Sequence, residues 1–254
     1  MIKLYSLYTE SHRGLKERFF DPTLPPDVEL HMTFCDIPGE GRIQDPGWRR
    51  AIVRKVQVIV AAIKENWGKV FVYSDVDVQF FRPISESVAE AMRNDDLSFQ
   101  IDAPGPCLCA GFFFCRGNET TLALWERISD GVCRAGEDDQ AMLRKLVWQI
   151  PGLRWTCLPP VFCGGGTFTG RQWLPGREQA LPEGLLMHHA NFTIGVGNKV
   201  LLSESVQELV RAGRFIPLKE AYERVKVRGG FEFAPQFESV VLSGQQDGPK
   251  TSCP

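Results

Sequence analysis

Residues 2–8 (IKLYSLY) alternate between apolar and polar positions, and residues 28–35 (VELHMTFC) repeat the pattern. A period of two places successive side chains on opposite faces, so both segments predict strands, with a linking helix between them. Asp45 followed by Pro46 reads as an N-cap with proline at the first helical position. Trp48, Ile52, Val56, Ile59, Val60 and Ile63 then fall on one helical face, and the helix stops near residues 66–68. Residues 69–74 (KVFVYS) are nearly all apolar and rich in β-branched and aromatic side chains, which suits a strand covered on both faces. Downstream the pattern predicts a helix over 84–92, strands over 97–101 and 109–115, helices over 119–129 and 139–148, strands over 153–157 and 185–189, and a last amphipathic helix over 200–211. Strands alternating with helices predict an α/β fold with a doubly wound sheet, whose ligands sit beyond the carboxyl ends of the strands.

Composition narrows the class. Hydrophobic residues at 43% and charged residues at 24% of 254 residues are globular values, and this length suits one α/β domain over 1–242 with a polar tail over 243–254. Lys plus Arg at 29 against Asp plus Glu at 31 leaves a net charge of −2, so no global field draws the chain to nucleic acid. The longest apolar stretches, 58–63 and 110–115, are far shorter than the roughly 18 residues of a membrane span, which predicts a chain without a transmembrane segment. The first residues lack a signal-like apolar stretch, and the expected location is cytoplasmic. Eight cysteines without a C-x-x-C pair predict reduced, mostly buried thiols.

The chemistry concentrates where the third strand ends. Asp75 and Asp77 lie two apart in an extended segment and point to the same side, so both can reach one ligand. Two hard oxygen donors suit Mg²⁺ or Mn²⁺, which also take phosphate oxygens. Aspartates are also common in turns after strands, but Val76 and Val78 flank these two and offer the charges no local use.

The segment YSDVDVQFFRP (73–83) resembles the D-x-D segment of nucleotide-sugar-dependent glycosyltransferases of the GT-A fold, nearest to the nucleotide-diphospho-sugar transferase family and more loosely to glycogenin-like enzymes. Three further segments are similar to family segments in the same order: LCAGFFFCRGN (108–118), GEDDQAML (136–143) and MHHANFTIGVGNK (187–199). The resemblance implies a GT-A-like mixed sheet flanked by helices. It divides the chain into a nucleotide-binding half over 1–105, a donor-sugar and acceptor half over 106–200, and a C-terminal helix and extension over 201–242. It also implies transfer from a nucleotide diphosphate sugar, with UDP the expected nucleotide, to a hydroxyl acceptor with retention of configuration. The expected cofactor is Mn²⁺ or Mg²⁺ on Asp75, Asp77 and His189. Thr9 and Ser11 would hold base and ribose, Ser74 and Val76 would flank the nucleotide, and Gly111 would permit close approach of the sugar. Gly195, Gly197 and Lys199 would meet the diphosphate, while Asp139 and Gln140 would face the donor sugar.

Several of these residues have an alternative reading. Strand alternation aims His188 and His189 at opposite faces without saying which faces the site. Gly195, Gly197 and Lys199 also suit a plain loop entering the last helix. Asp138 and Asp139 suit the positive end of a helix. Arg49, within the apolar stripe, is the first candidate to reach a phosphate and Lys55, on its flank, the second, with solvated charge as the default for both. Cys109 stands where the family often has Asn, and a thiol is a weaker hydrogen-bonding group, which puts one sugar contact in doubt. Cys163-Gly-Gly-Gly reads as a flexible turn, with a mobile acceptor-side loop or phosphate nest as alternatives. Two other functions compete: a haloacid-dehalogenase-like phosphatase using Asp75 as nucleophile, and a module that binds sugar or nucleotide without turnover. The first fits poorly because its motif ends the first core strand, whereas this one ends the third.

Overall fold

The computed structural model describes residues 1–39, 46–103 and 107–229. Its main sheet has six strands: β1 (Ile2–Thr9), β2 (Val28–Cys35), β3 (Val70–Ser74), β5 (Leu97–Ala103), β6 (Cys107–Arg116) and β7 (Trp155–Cys157), in the order β2-β1-β3-β6-β5-β7. β1 runs parallel to β2 and β3, and β5 parallel to β7, while β6 runs antiparallel to both its neighbours. The sheet is therefore mixed.

A second sheet joins β4 (Val78–Phe80), β8 (Phe162–Gly164) and β9 (Met187–His189) in the order β4-β9-β8. Asp75, Val76 and Asp77 are the connection from β3 to β4, so the paired aspartates lie at the junction of the two sheets.

Alternation along β6 sends its aromatic run to both faces. Phe113 stacks between Tyr73 and Trp125, at centroid distances of 5.4 and 4.9 Å, in the core beneath helices α1 (Pro46–Glu65), α3 (Glu119–Asp130) and α4 (Asp139–Leu146). Phe112 and Phe114 turn the other way and meet Phe162 of β8 at 5.9 and 5.4 Å, in a second core shared with α2 (Ser85–Ala91). Full burial of such side chains contributes about 1.5–3 kcal/mol each before entropy is counted. These two cores fix the strand ends that carry the site.

The structure departs from the sequence reading in short or mixed elements. β4 and β8 have three residues each, too few to display a period. The strand expected over 185–189 is confined to Met187–His189, and the linking helix expected after β1 is a run of short helical turns over residues 10–23. Helix α5 (Val196–Arg211) starts four residues before the expected 200 and takes in Gly197 and Lys199. A further helix, α6 (Leu218–Gly229), follows it; half of its sequence LKEAYERVKVRG is charged, and Ala221, Tyr222 and Val225 are buried. The expected cap Asp45 and the tail 243–254 lie outside the described residues.

Candidate active site

The site grows from the end of β3. The Asp75 amide donates to the Gly111 carbonyl at 2.7 Å, which holds the connector against β6. Its carboxylate accepts from the Tyr73 hydroxyl and from Lys55 Nζ, both at 3.1 Å. Asp77 is buried, with Oδ1 3.2 Å from His189 Nε2 and Oδ2 2.5 Å from Lys199 Nζ. Burial alone would raise the Asp77 carboxyl, but the charge of Lys199 and the partner His189 outweigh it and hold it well below the ordinary carboxylate range.

The small sheet brings the imidazole to this point. β9 pairs antiparallel with β4 so that His189 lies opposite Val78, and the Ala190 amide donates to the Asp77 carbonyl at 2.8 Å. His188 faces away, beside Gln179, where burial pushes its pKa down to about 3. Of the two adjacent histidines, His189 is the one that joins the aspartates.

One ligand atom each from Asp75, Asp77 and His189 lies within 4.8 Å of the others. A β-carbon at Gly111 would stand 2.5 Å from Asp75 Oδ2 and 2.7 Å from His189 Cε1, so any larger residue there would push these two groups from their present positions. Two carboxylates and an imidazole converging on one point form a suitable donor set for a divalent cation such as Mn²⁺ or Mg²⁺.

Two lysines balance these charges. Lys55 is only 7% exposed and lies 3.1 Å from both Asp75 and Asp139. Burial lowers its affinity for a proton, but Asp139 and Asp75 together overcome that and hold the ammonium well above its ordinary value. Lys199 reaches Asp77 from the first turns of α5, which opens at Gly195, a residue with φ of +85°. Arg49 does not join the cleft: it is exposed and donates to the Gly136 carbonyl at 3.3 Å. The sequence ranking of Arg49 above Lys55 is thus reversed, because a flank position on α1 faces the gap above β3 while the stripe position near its start looks outward. Gly197 lies within α5 with open space around it and does not line the cleft.

The cleft has two adjoining lobes of about 160 and 410 Å³ that share Trp48, Lys55, Asp75, Asp77 and Lys199. The smaller one runs along Thr9, His12, Val76 and Gly195. There the Thr9 hydroxyl lies 3.0 Å from that of Ser11, and His12 Nδ1 is 3.2 and 3.0 Å from the two. Burial, then the nearby Lys199 charge, lowers the His12 pKa. Ser74, directly before the connector, is buried and donates to the Asp75 carbonyl at 2.8 Å.

The larger lobe carries Asp139 and Gln140. Asp138 caps α4 by accepting from the Ala141 amide at 2.9 Å, which leaves Asp139 free to turn inward to Lys55. Gln140 Nε2 donates to Asp102 Oδ2 at 2.6 Å, and Gln140 Oε1 accepts from the Ala110 amide at 3.3 Å. Asn191 holds the other Asp102 oxygen, and burial raises the Asp102 carboxyl. Cys109, on the floor, accepts from the Gly111 amide at 3.3 Å. The glycines after Cys163 form a packed segment: a β-carbon at Gly164 would stand 2.3 Å from Asn191 Oδ1 and one at Gly166 2.6 Å from the Asp102 carbonyl. They give the Asn191 segment room. The described cysteines are all free, and most of them are buried.

His12, Trp48 and Asp102 line the cleft without having been singled out from sequence. Asp102 carries little signal in sequence, since it lies inside β5, whose LSFQIDA reads as an ordinary strand.

A mixed sheet whose central strand ends on a carboxylate–imidazole cluster, with lysines over it and a cleft alongside, is a GT-A-like arrangement, and the class it defines is that of the glycosyltransferases. The match of residues 38–202 to the nucleotide-diphospho-sugar transferase family covers most of the chain, and the chain belongs to that family. It is a glycosyltransferase. Among solved structures, a glycosyltransferase involved in the glycosylation of the major capsid of PBCV-1 is similar in fold at a TM-score of 0.55 and 14% identity, over 82% of this chain and 98% of that one. No curated protein matches the chain. Among the described residues no helix is long and apolar enough to cross a membrane. Family membership sets the phosphatase alternative aside.

Proposed function

We propose that the protein transfers a sugar from a nucleotide diphosphate donor, a UDP-sugar, to a hydroxyl acceptor with retention of anomeric configuration, using Mn²⁺ or Mg²⁺ held by Asp75, Asp77 and His189. The observation that carries this reading is the meeting of those three ligand atoms within 4.8 Å at the end of the central strand. When bound, the ion supplies positive charge to a departing diphosphate, an electrostatic effect that is strongest as that charge develops.

The chain's own groups supply the rest. Lys199, which holds Asp77 and lines the cleft, would also be within the site to neutralise a diphosphate, and the amino end of α5 at Gly195 would add its positive dipole. Lys55, 3.1 Å from both Asp75 and Asp139, fixes the two carboxylates relative to each other and so links the cation site to the sugar side of the cleft. Thr9, Ser11 and His12 hydrogen-bond the nucleoside in the smaller lobe, beside Ser74 and Val76. Asp139 and Gln140 face the donor sugar, and the Gln140 amide is already held at both ends.

Release of nucleoside diphosphate from a panel of UDP- and GDP-sugars, with and without Mn²⁺, tests the reading. The expected result is metal-dependent release that disappears in Asp77→Ala. Release that persists undiminished in EDTA and in that variant would overturn it, and binding without any release would identify a module that does not turn over. The anomeric configuration of the product, read by NMR, checks retention.

A further inference from the structure

We propose that Gln100 is a positioning residue that fixes His189 in the tautomer carrying its proton on Nδ1, so that Nε2 presents a lone pair to a cation. This rests on the reading of His189 as a metal ligand.

Gln100 lies in β5 and is fully buried. One end of its amide is 3.2 Å from the Phe162 carbonyl of β8. A carbonyl oxygen only accepts, so the group facing it is the NH₂. The amide oxygen therefore faces the other way, 2.9 Å from His189 Nδ1. That oxygen also only accepts, so Nδ1 must donate. With the Nδ1 proton held by Gln100, Nε2 is the nitrogen whose lone pair a cation can take, and in the neutral ring it carries no proton.

The consequence is at Asp77. Nε2 lies 3.2 Å from Asp77 Oδ1, so with Nδ1 protonated the two atoms need a positive charge between them, either a second proton on Nε2 or the cation that replaces it. Without Gln100 the other tautomer would win, because an Nε2–H would donate a charge-assisted bond to the Asp77 carboxylate. That bond would occupy the nitrogen and the carboxylate oxygen at once and remove both from the ligand set. Cys109 Sγ, 3.7 Å from Nδ1, is the other acceptor close to that nitrogen, and sulfur at that distance is too weak to set the tautomer. Gln100 thus carries the orientation of a backbone carbonyl in the small sheet, through the large sheet, to the ligand. Outer partners of metal-bound imidazoles usually act in this way.

Long-range ¹H–¹⁵N NMR of the metal-free full chain, labelled at histidine and recorded at mildly alkaline pH, reads the tautomer directly. The expected spectrum has His189 Nδ1 protonated; a neutral ring with its proton on Nε2 and a bare Nδ1 would overturn the proposal. In Gln100→Met the tautomer should switch, and Mn²⁺ affinity, measured from the EPR signal of free Mn²⁺, should fall about 10–100-fold. Gln100→Glu, which keeps an acceptor, should lose less. Unchanged Mn²⁺ affinity in a Gln100→Met protein with a cooperative thermal transition would also overturn it. Should that variant fail to fold, the wild-type spectrum still decides. A wild-type protein that holds the Nδ1 proton yet binds no Mn²⁺ would support the tautomer assignment while refuting His189 as a ligand.

Discussion

The two sheets are built to different standards. In the large one, β5 is buried along its whole length and β6 carries three consecutive phenylalanines into two cores. In the small one each strand has three residues, and its polar members include Gln79, His188 and His189. The large sheet contributes stability and the ends of its strands. The small one contributes register: pairing with β4 is what sets His189 beside Asp77. The site lies where the two join, so a rigid apolar framework orients a patch that apolar packing alone would not specify.

The largest expected effects separate the two roles. Phe113→Ala empties the space between Tyr73 and Trp125 and should cost about 3–5 kcal/mol in denaturant unfolding. The protein that stays folded should keep its Mn²⁺ affinity. Asp77→Ala should do the reverse, lowering turnover by roughly 10²–10³-fold, the scale on which removal of one charge-stabilising group acts, with a much smaller change in unfolding midpoint. If Asp77→Ala unfolded the chain as readily as Phe113→Ala, the division between framework and site would fail.

Gly111→Ala sharpens the comparison, since it touches both sheets. The added methyl meets Asp75 Oδ2 and His189 Cε1, so Mn²⁺ binding should weaken by about 10–100-fold while the thermal transition stays cooperative. Unchanged binding would mean that these side chains move apart freely.

The smallest effect belongs to the edge of the large sheet. Burial would raise the Asp96 carboxyl, but the hydrogen bonds and charge of Arg154 outweigh it and leave the pKa lowered. A carboxyl lowered in the folded state stabilises fully above its unfolded value of about 3.9, and that stabilisation fades as pH falls through the folded value. Asp96→Asn should therefore cost about 1–3 kcal/mol at pH 7, and the gap to wild type should narrow below about pH 4. A gap that stayed constant down to pH 3 would remove Arg154 as the cause.

The same division explains what could be read from sequence. Strands β1, β2, β3, β5 and β6 announce themselves through alternation or apolar runs, and Asp75 and Asp77 stand out because they end one. The small sheet is silent, since three residues carry no period and its partners are distant: Val78 pairs with His189. His189 was legible only through resemblance, and its distinction from His188 required the register. Lys55 over Arg49 was beyond a helical wheel, which ranks positions around an axis but does not say where along the helix the cleft lies. Asp102 and Gln100 lie on β5 beneath the cleft, where sequence shows an ordinary buried strand.

The central claim is that a divalent cation on Asp75, Asp77 and His189 joins the protein to the donor's diphosphate. Calorimetric titration of UDP into the protein, with Mn²⁺ and again in EDTA, tests it most directly. Binding should tighten by at least about tenfold with Mn²⁺ in the wild type, which corresponds to roughly 1.4 kcal/mol, and should lose that gain in Asp77→Ala. Equal UDP affinity with and without the metal would contradict it.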